Sequence, residues 1–80
     1  MYAIECSDII HLAAAIVKQN QLDDKITLLK GKMEEIELPV PQVDIIVSEW
    51  LGFFLLAENM ISSVIYARDK YLAPNGFLLP

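Results

Sequence analysis

The sequence predicts an α/β fold in which a mainly parallel, doubly wound sheet is built in the order β-α-β-β-α-β. Three observations carry that reading. Val43-Asp44-Ile45-Ile46-Val47 is nearly continuous in β-branched residues, as a strand covered on both faces should be. The segments from Asp8 to about Asn20 and from Glu58 to Leu72 instead place apolar residues at helical spacing. Helices falling between some of the strands argue for parallel pairing with right-handed crossovers.

Taken in order, Tyr2 to Glu5 is a short apolar run that ends in an acid. Ser7 is a good helix N-cap, and Asp8 then falls in the first turn, where negative charge is favoured. In the helix that follows, Ile9, Leu12, Ala13 and Ile16, joined by Ile10, Ala14 and Val17, give a wide buried face, with His11 and Lys18 on a narrow wet side. Polar residues 20–25 end it. Ile26 to Leu29 is a second strand, closed by Lys30-Gly31-Lys32. Met33 to Glu37 is short and acidic, and Pro39 with Pro41 keeps the chain extended into the third strand. A loop follows from Ser48 to Ala57, with Gly52 inside it. The second helix buries Met60, Ile61, Val64, Ile65, Tyr71 and Leu72. Pro74-Asn75-Gly76 is expected to stop this helix, and Phe77 to begin a fourth strand.

Eighty residues hold one domain or part of one. A domain this small buries only roughly 60–65% of its unfolded surface. A hydrophobic content of 55% and a mean hydropathy of +0.42 suit elements covered on both sides better than a free-standing unit. With apolar runs at both ends, the expectation is an internal piece of a larger domain spanning 1–80. A net charge of −5 disfavours nucleic acid as a direct partner, since such binding needs a basic footprint. No apolar run reaches ~18 residues, so no membrane span is expected. One cysteine, Cys6, builds no disulfide framework and suits a reducing compartment, cytoplasmic or nuclear. A single Cys and a single His are too few for a metal centre. His11 reads as a surface histidine, and Trp50 with the phenylalanines as packing.

In parallel α/β sheets ligands sit at the carboxyl ends of the strands. Three acids fall there: Glu5 after the first strand, Glu34 in the turn after the second, and Glu49 after the third. A carboxylate at Glu5 can accept from both hydroxyls of a ribose, as in dinucleotide and adenosyl cofactor sites. Glu34 can accept from an adenine amino group while the Met33 main chain meets a ring nitrogen. Glu49 and Glu58 lie nine residues apart across an apolar loop that Gly52 can fold back. Two carboxylates brought together raise each other's pKa unless a cation fills the gap. Arginine, a planar and permanently charged fork of donors, is the matching cation. Taken singly, each of these acids is more often just solvated; it is their order that carries information.

That order, with its surroundings, resembles the type I protein arginine N-methyltransferases. The matching stretches are Ile4-Glu5-Cys6-Ser7, Ile26 to Pro39, Val43 to Trp50, and Tyr66 to Pro74, so the resemblance covers nearly the whole chain. Ser48-Glu49-Trp50-Leu51-Gly52, with Glu58 following, looks like the family's double-glutamate loop. The chain departs from the pattern at Leu51, where Met is usual, at Phe53, where Tyr is usual, and around Ala57 and Asn59. The resemblance implies a Rossmann-like methyltransferase sheet, S-adenosylmethionine as methyl donor, and arginine-rich proteins as substrates. It assigns the ribose to Glu5, adenine to Met33 and Glu34, and the guanidinium to Glu49 and Glu58, with Met60 lying against it. It also implies further parts in the parent enzyme: a first strand with a Gly-rich loop, a C-terminal β-barrel, and a dimerisation arm that makes a homodimer. The first strand would lie in the middle of the sheet. The 80 residues alone are therefore expected to leave bare apolar faces, to bind the donor weakly or not at all, and to be inactive.

Two rivals come from other classes. One is a non-catalytic interaction fragment or degenerate homologue, which the changes at Phe53 and Ala57 would suit. The other is a nicotinamide-dependent α/β domain, disfavoured because the double-glutamate loop has no purpose there.

Overall fold

The computed structural model describes residues 1–49 and 61–79. Elements follow in the order β1 (Tyr2–Glu5), α1 (Ile9–Gln19), β2 (Thr27–Lys30), a 3-10 turn (Met33–Glu35), β3 (Val43–Val47), α2 (Ile61–Tyr71) and β4 (Leu72–Leu79). The expected β-α-β-β-α-β order is met, and both strand pairs are parallel. The chain divides into two compact units, 1–38 and 39–80. Each unit holds a two-stranded sheet, β1-β2 in the first and β3-β4 in the second.

In the first unit Tyr2 to Glu5 pairs in register with Thr27 to Lys30. The connecting helix α1 contacts β2 and buries Ile10. Its start differs from the sequence expectation. The capping position is Asp8, whose own backbone is helical (φ −72°, ψ −9°) and whose carboxylate makes no cap bond. That carboxylate reaches instead to Lys30 Nζ at 2.9 Å, joining the start of α1 to the end of β2. Both groups are largely exposed, so the pair is worth at most about 1 kcal/mol. The helix ends in a Schellman motif: the Leu22 amide donates to the Val17 carbonyl and the Gln21 amide to that of Lys18. Gln21 takes the left-handed position at φ 57°, which glycine usually fills.

In the second unit α2 packs on β3 and β4, burying Val64, Ala67 and Tyr71. Here too the sequence reading needs correction. Pro74-Asn75-Gly76 does not separate the helix from a later strand. Strand β4 begins at Leu72, immediately after the helix. Val43 pairs with Leu72 but Ile45 with Phe77, so Ala73 to Gly76 bulge out opposite the single residue Asp44. Gly76 is required by close approach: a Cβ there would lie 2.7 Å from the Asp44 carbonyl oxygen and 2.6 Å from Leu72 Cδ1.

The wide buried face expected of α1 is only partly buried. Ile9, Leu12 and Ile16 are exposed and, with Ala3, Ile4, Ala13 and Leu28, line an open apolar groove. Nor is β3 covered on both faces: Ile45 and Val47 are exposed, as are Phe77 and Leu79 opposite them. The apolar pattern specifies more burial than the described elements of either unit provide. Among the described residues no helix is long and apolar enough to cross a membrane, and no cluster of three or more His, Cys, Asp or Glu could hold a metal ion.

Candidate functional site

The carboxyl end of the β1-β2 sheet brings together the residues expected at the methyl donor. Glu5 closes β1 and is half-buried. Its carboxylate turns back on the chain, where Oε1 accepts the Ser7 main-chain amide at 3.0 Å. Hydrogen bonds from the Ser7 amide, the Ser7 hydroxyl and the Cys6 amide hold this carboxylate below the usual carboxylate range, outweighing a small opposing effect of desolvation. Glu5 is thus ionised and its orientation is fixed by the turn that follows it. An ionised, oriented acceptor at a strand end fits a vicinal diol, which presents two donors.

Beyond the paired strands, the Gly31 amide donates to the Glu5 carbonyl at 3.1 Å. Gly31 has φ 146°, closed to residues with a Cβ, and a Cβ there would also meet Ile36 Cγ1 at 3.1 Å. This one residue turns the chain from β2 into the 3-10 turn that carries Met33 and Glu34, with the Glu35 amide donating to the Lys32 carbonyl at 2.9 Å. Glu5, Met33 and Glu34 therefore share one sheet end, held by main-chain bonds. The sequence reading singled out those three but missed Gly31 and Ser7 as their supports. The glycine after a strand was the available signal.

In the second unit the Ser48 amide donates to the Leu79 carbonyl at 3.0 Å, extending the β3-β4 ladder by one residue. Glu49 follows, exposed, at the carboxyl end of β3. The Ser48 hydroxyl is buried with no partner among the described residues. Glu58 and Met60, and with them the convergence of Glu49 and Glu58, lie outside the described residues, as do the departures at Leu51, Phe53, Ala57 and Asn59. Cys6, beside Glu5, is an exposed free thiol.

No family model matches the chain. Among curated proteins it is 60% identical over all 80 residues to protein arginine N-methyltransferase 1 of Schizosaccharomyces pombe and to protein arginine N-methyltransferase 1.1 of Arabidopsis thaliana. It is 59% identical to protein arginine N-methyltransferase 8-B of Danio rerio. The chain spans only 24%, 20% and 19% of these relatives. Among solved structures it superposes on Arabidopsis thaliana protein arginine methyltransferase 10 in an open conformation, with TM-score 0.90 and 47% identity over 96% of this chain and 22% of that one. It also superposes on the Trypanosoma brucei PRMT1 enzyme-prozyme heterotetrameric complex with AdoHcy, with TM-score 0.91 and 44% identity over 99% of this chain and 25% of that one.

Proposed function

Since this chain belongs by sequence to the protein arginine N-methyltransferases, we propose that, within a larger enzyme, it supplies half of the methyl-donor pocket and the two acids that grip the target arginine. The reaction is transfer of a methyl group from S-adenosylmethionine to a guanidinium nitrogen of a protein. The observation that carries this reading is identity at 60% of positions along the whole chain, with Glu5, Glu34 and Glu49 standing in stretches that resemble the family and Glu58 following Glu49 at the family's spacing.

The donor, when bound, supplies an electrophilic methyl on a sulfonium. Glu5 accepts from its ribose hydroxyls and Glu34 from its adenine amino group, with the Met33 main chain at the ring. Arginine is a poor nucleophile, because its lone pairs are delocalised and it carries a proton. Glu49 and Glu58 draw the positive charge toward one side of the guanidinium, leaving more electron density on the attacking nitrogen. They also hold that nitrogen in line with the methyl, an orientation effect worth several kcal/mol in favourable systems. The family resemblance assigns Met60 a place against the fork. The proton lost passes to a glutamate or to water.

The exposed apolar residues of α1, β3 and β4 support a place inside a larger doubly wound sheet, covered by elements from outside these 80 residues. We place the parent enzyme in the cytoplasm or nucleus, as an oligomer and in the simplest case a homodimer. The test is a methylation assay of the whole protein with labelled S-adenosylmethionine and an arginine-rich peptide. Label appearing in methylarginine supports the reading. A folded, donor-binding protein that labels no arginine leaves the rival reading of a non-catalytic homologue.

A further inference from the structure

Glu5 and Lys30 are register partners at the carboxyl ends of β1 and β2. Paired residues of adjacent strands project to the same face of a sheet about 5 Å apart, well within the reach of a lysine side chain. An ammonium placed there is attracted to the carboxylate beside it, which is the acid read as the ribose acceptor. Lys30 Nζ goes elsewhere: it lies 2.9 Å from Asp8 Oδ1, at the start of α1. Asp8 has no competing task in the helix, since its carboxylate makes no cap bond. The Glu5 carboxylate already gives Oε1 to the Ser7 main-chain amide at 3.0 Å. A vicinal diol brings two donors, so a lysine on the acceptor sites that remain would compete directly with the ribose.

We propose that Asp8 is a positioning residue for the methyl donor: it draws the Lys30 ammonium away from its strand partner Glu5 and so leaves that carboxylate open to the ribose hydroxyls. This rests on the reading of Glu5 as the ribose acid and adds to it a residue that does not itself touch the donor. The role belongs to the charge of Asp8 and exists only while Lys30 is present. A mere tie between α1 and β2 behaves differently, because removing either partner breaks it equally.

The test is calorimetric titration of S-adenosylhomocysteine, which lacks the sulfonium charge, into the whole enzyme carrying this segment. The proteins are the parent, Asp8→Asn, Asp8→Ser, Lys30→Gln, the Asp8→Asn/Lys30→Gln double variant and Glu5→Gln. Both Asp8 variants keep an oxygen suited to a helix start, and with its side chain 93% exposed Asp8 supports no packing. Release of one exposed ammonium onto Glu5 predicts a Kd raised about two- to fivefold in either Asp8 variant. That penalty should shrink as ionic strength is raised. The KM for the donor should rise alongside, with kcat at saturation unchanged. Lys30→Gln alone should leave the Kd unchanged, and in its background Asp8→Asn should cost nothing. No penalty in either Asp8 variant, a penalty that survives Lys30→Gln, or an equal penalty from Lys30→Gln alone overturns the positioning role. An unchanged Kd in Glu5→Gln overturns instead the ribose reading on which it rests. Thermal unfolding of each variant identifies a merely structural tie, which would lower the melting temperature equally for Asp8→Asn and Lys30→Gln with no change in Kd, and which counts against the proposal.

Discussion

The amide of Gly31 donates to the carbonyl of Glu5 at 3.1 Å, one step beyond the last paired residues of β1 and β2. Through this bond the acid that closes one strand and the turn that leaves the other are held in a single main-chain frame. Gly31 makes it with φ 146°, where an L side chain is strained, and a Cβ there would press on Ile36 Cγ1 at 3.1 Å. Gly31→Ala should therefore lower stability by about 1–3 kcal/mol and weaken donor binding, because the turn bearing Met33 and Glu34 must shift. Urea unfolding of the whole enzyme, paired with a donor titration, checks both effects.

The Glu5 carboxylate is held below the usual carboxylate range by the bonds from Ser7 and Cys6. A depressed folded-state pKa means that the ionised form persists as pH falls and is lost only on passing through that lowered value. Donor affinity should hence stay flat from neutral pH down into the ordinary carboxylate range. Ser7→Ala should move its acid limb upward, and Glu5→Gln should abolish the part of the limb that Glu5 contributes while lowering affinity about tenfold or more. Affinity measured between neutral pH and the acid stability limit distinguishes these outcomes.

Gly76 passes over the Asp44 carbonyl with no space for a methyl group, since a Cβ would sit 2.7 Å from that oxygen. Gly76→Ala should open the bulge between β3 and β4 and cost about 1–3 kcal/mol. Glu49, the acid proposed to hold the guanidinium, follows the carboxyl end of β3 while the bulge lies opposite Asp44 near its start, so the surviving folded enzyme should keep most of its kcat. A thermal melt read beside an activity assay tests this.

The order of elements, their parallel pairing and the three acids at strand ends were legible because each rests on local pattern. Periodicity separates α1 and α2 from the strands, and a strand end is marked by where the apolar run meets an acid. Pro74-Asn75-Gly76 misled because a helix stop and a bulge use the same residues. Only the contact of Gly76 with Asp44, distant in sequence, decides between them. Ser7 misled for a different reason: a serine before a helix signals a cap, but its main-chain amide is taken by the Glu5 carboxylate two residues back and the capping position falls on Asp8. The faces of Ile9, Leu12, Ile45 and Phe77 were read correctly as apolar, but periodicity cannot say what covers them.

With so little buried among the described residues of either unit (Ile10 in one; Val64, Ala67 and Tyr71 in the other), the 80 residues by themselves should lack a cooperative thermal transition and bind S-adenosylmethionine weakly or not at all. Micromolar binding to the purified segment by calorimetry would refute this.

The central claim is that Glu49 and Glu58 clasp one guanidinium. It is tested most directly by steady-state methylation of an arginine-rich peptide by the whole enzyme carrying Glu49→Gln, Glu58→Gln, or both. The account predicts that each single change lowers kcat/KM for the peptide at least about a hundredfold, that donor affinity is unchanged, and that the double variant is little worse than either single one, as for groups acting as a unit. Methyl transfer undiminished in the double variant would contradict it.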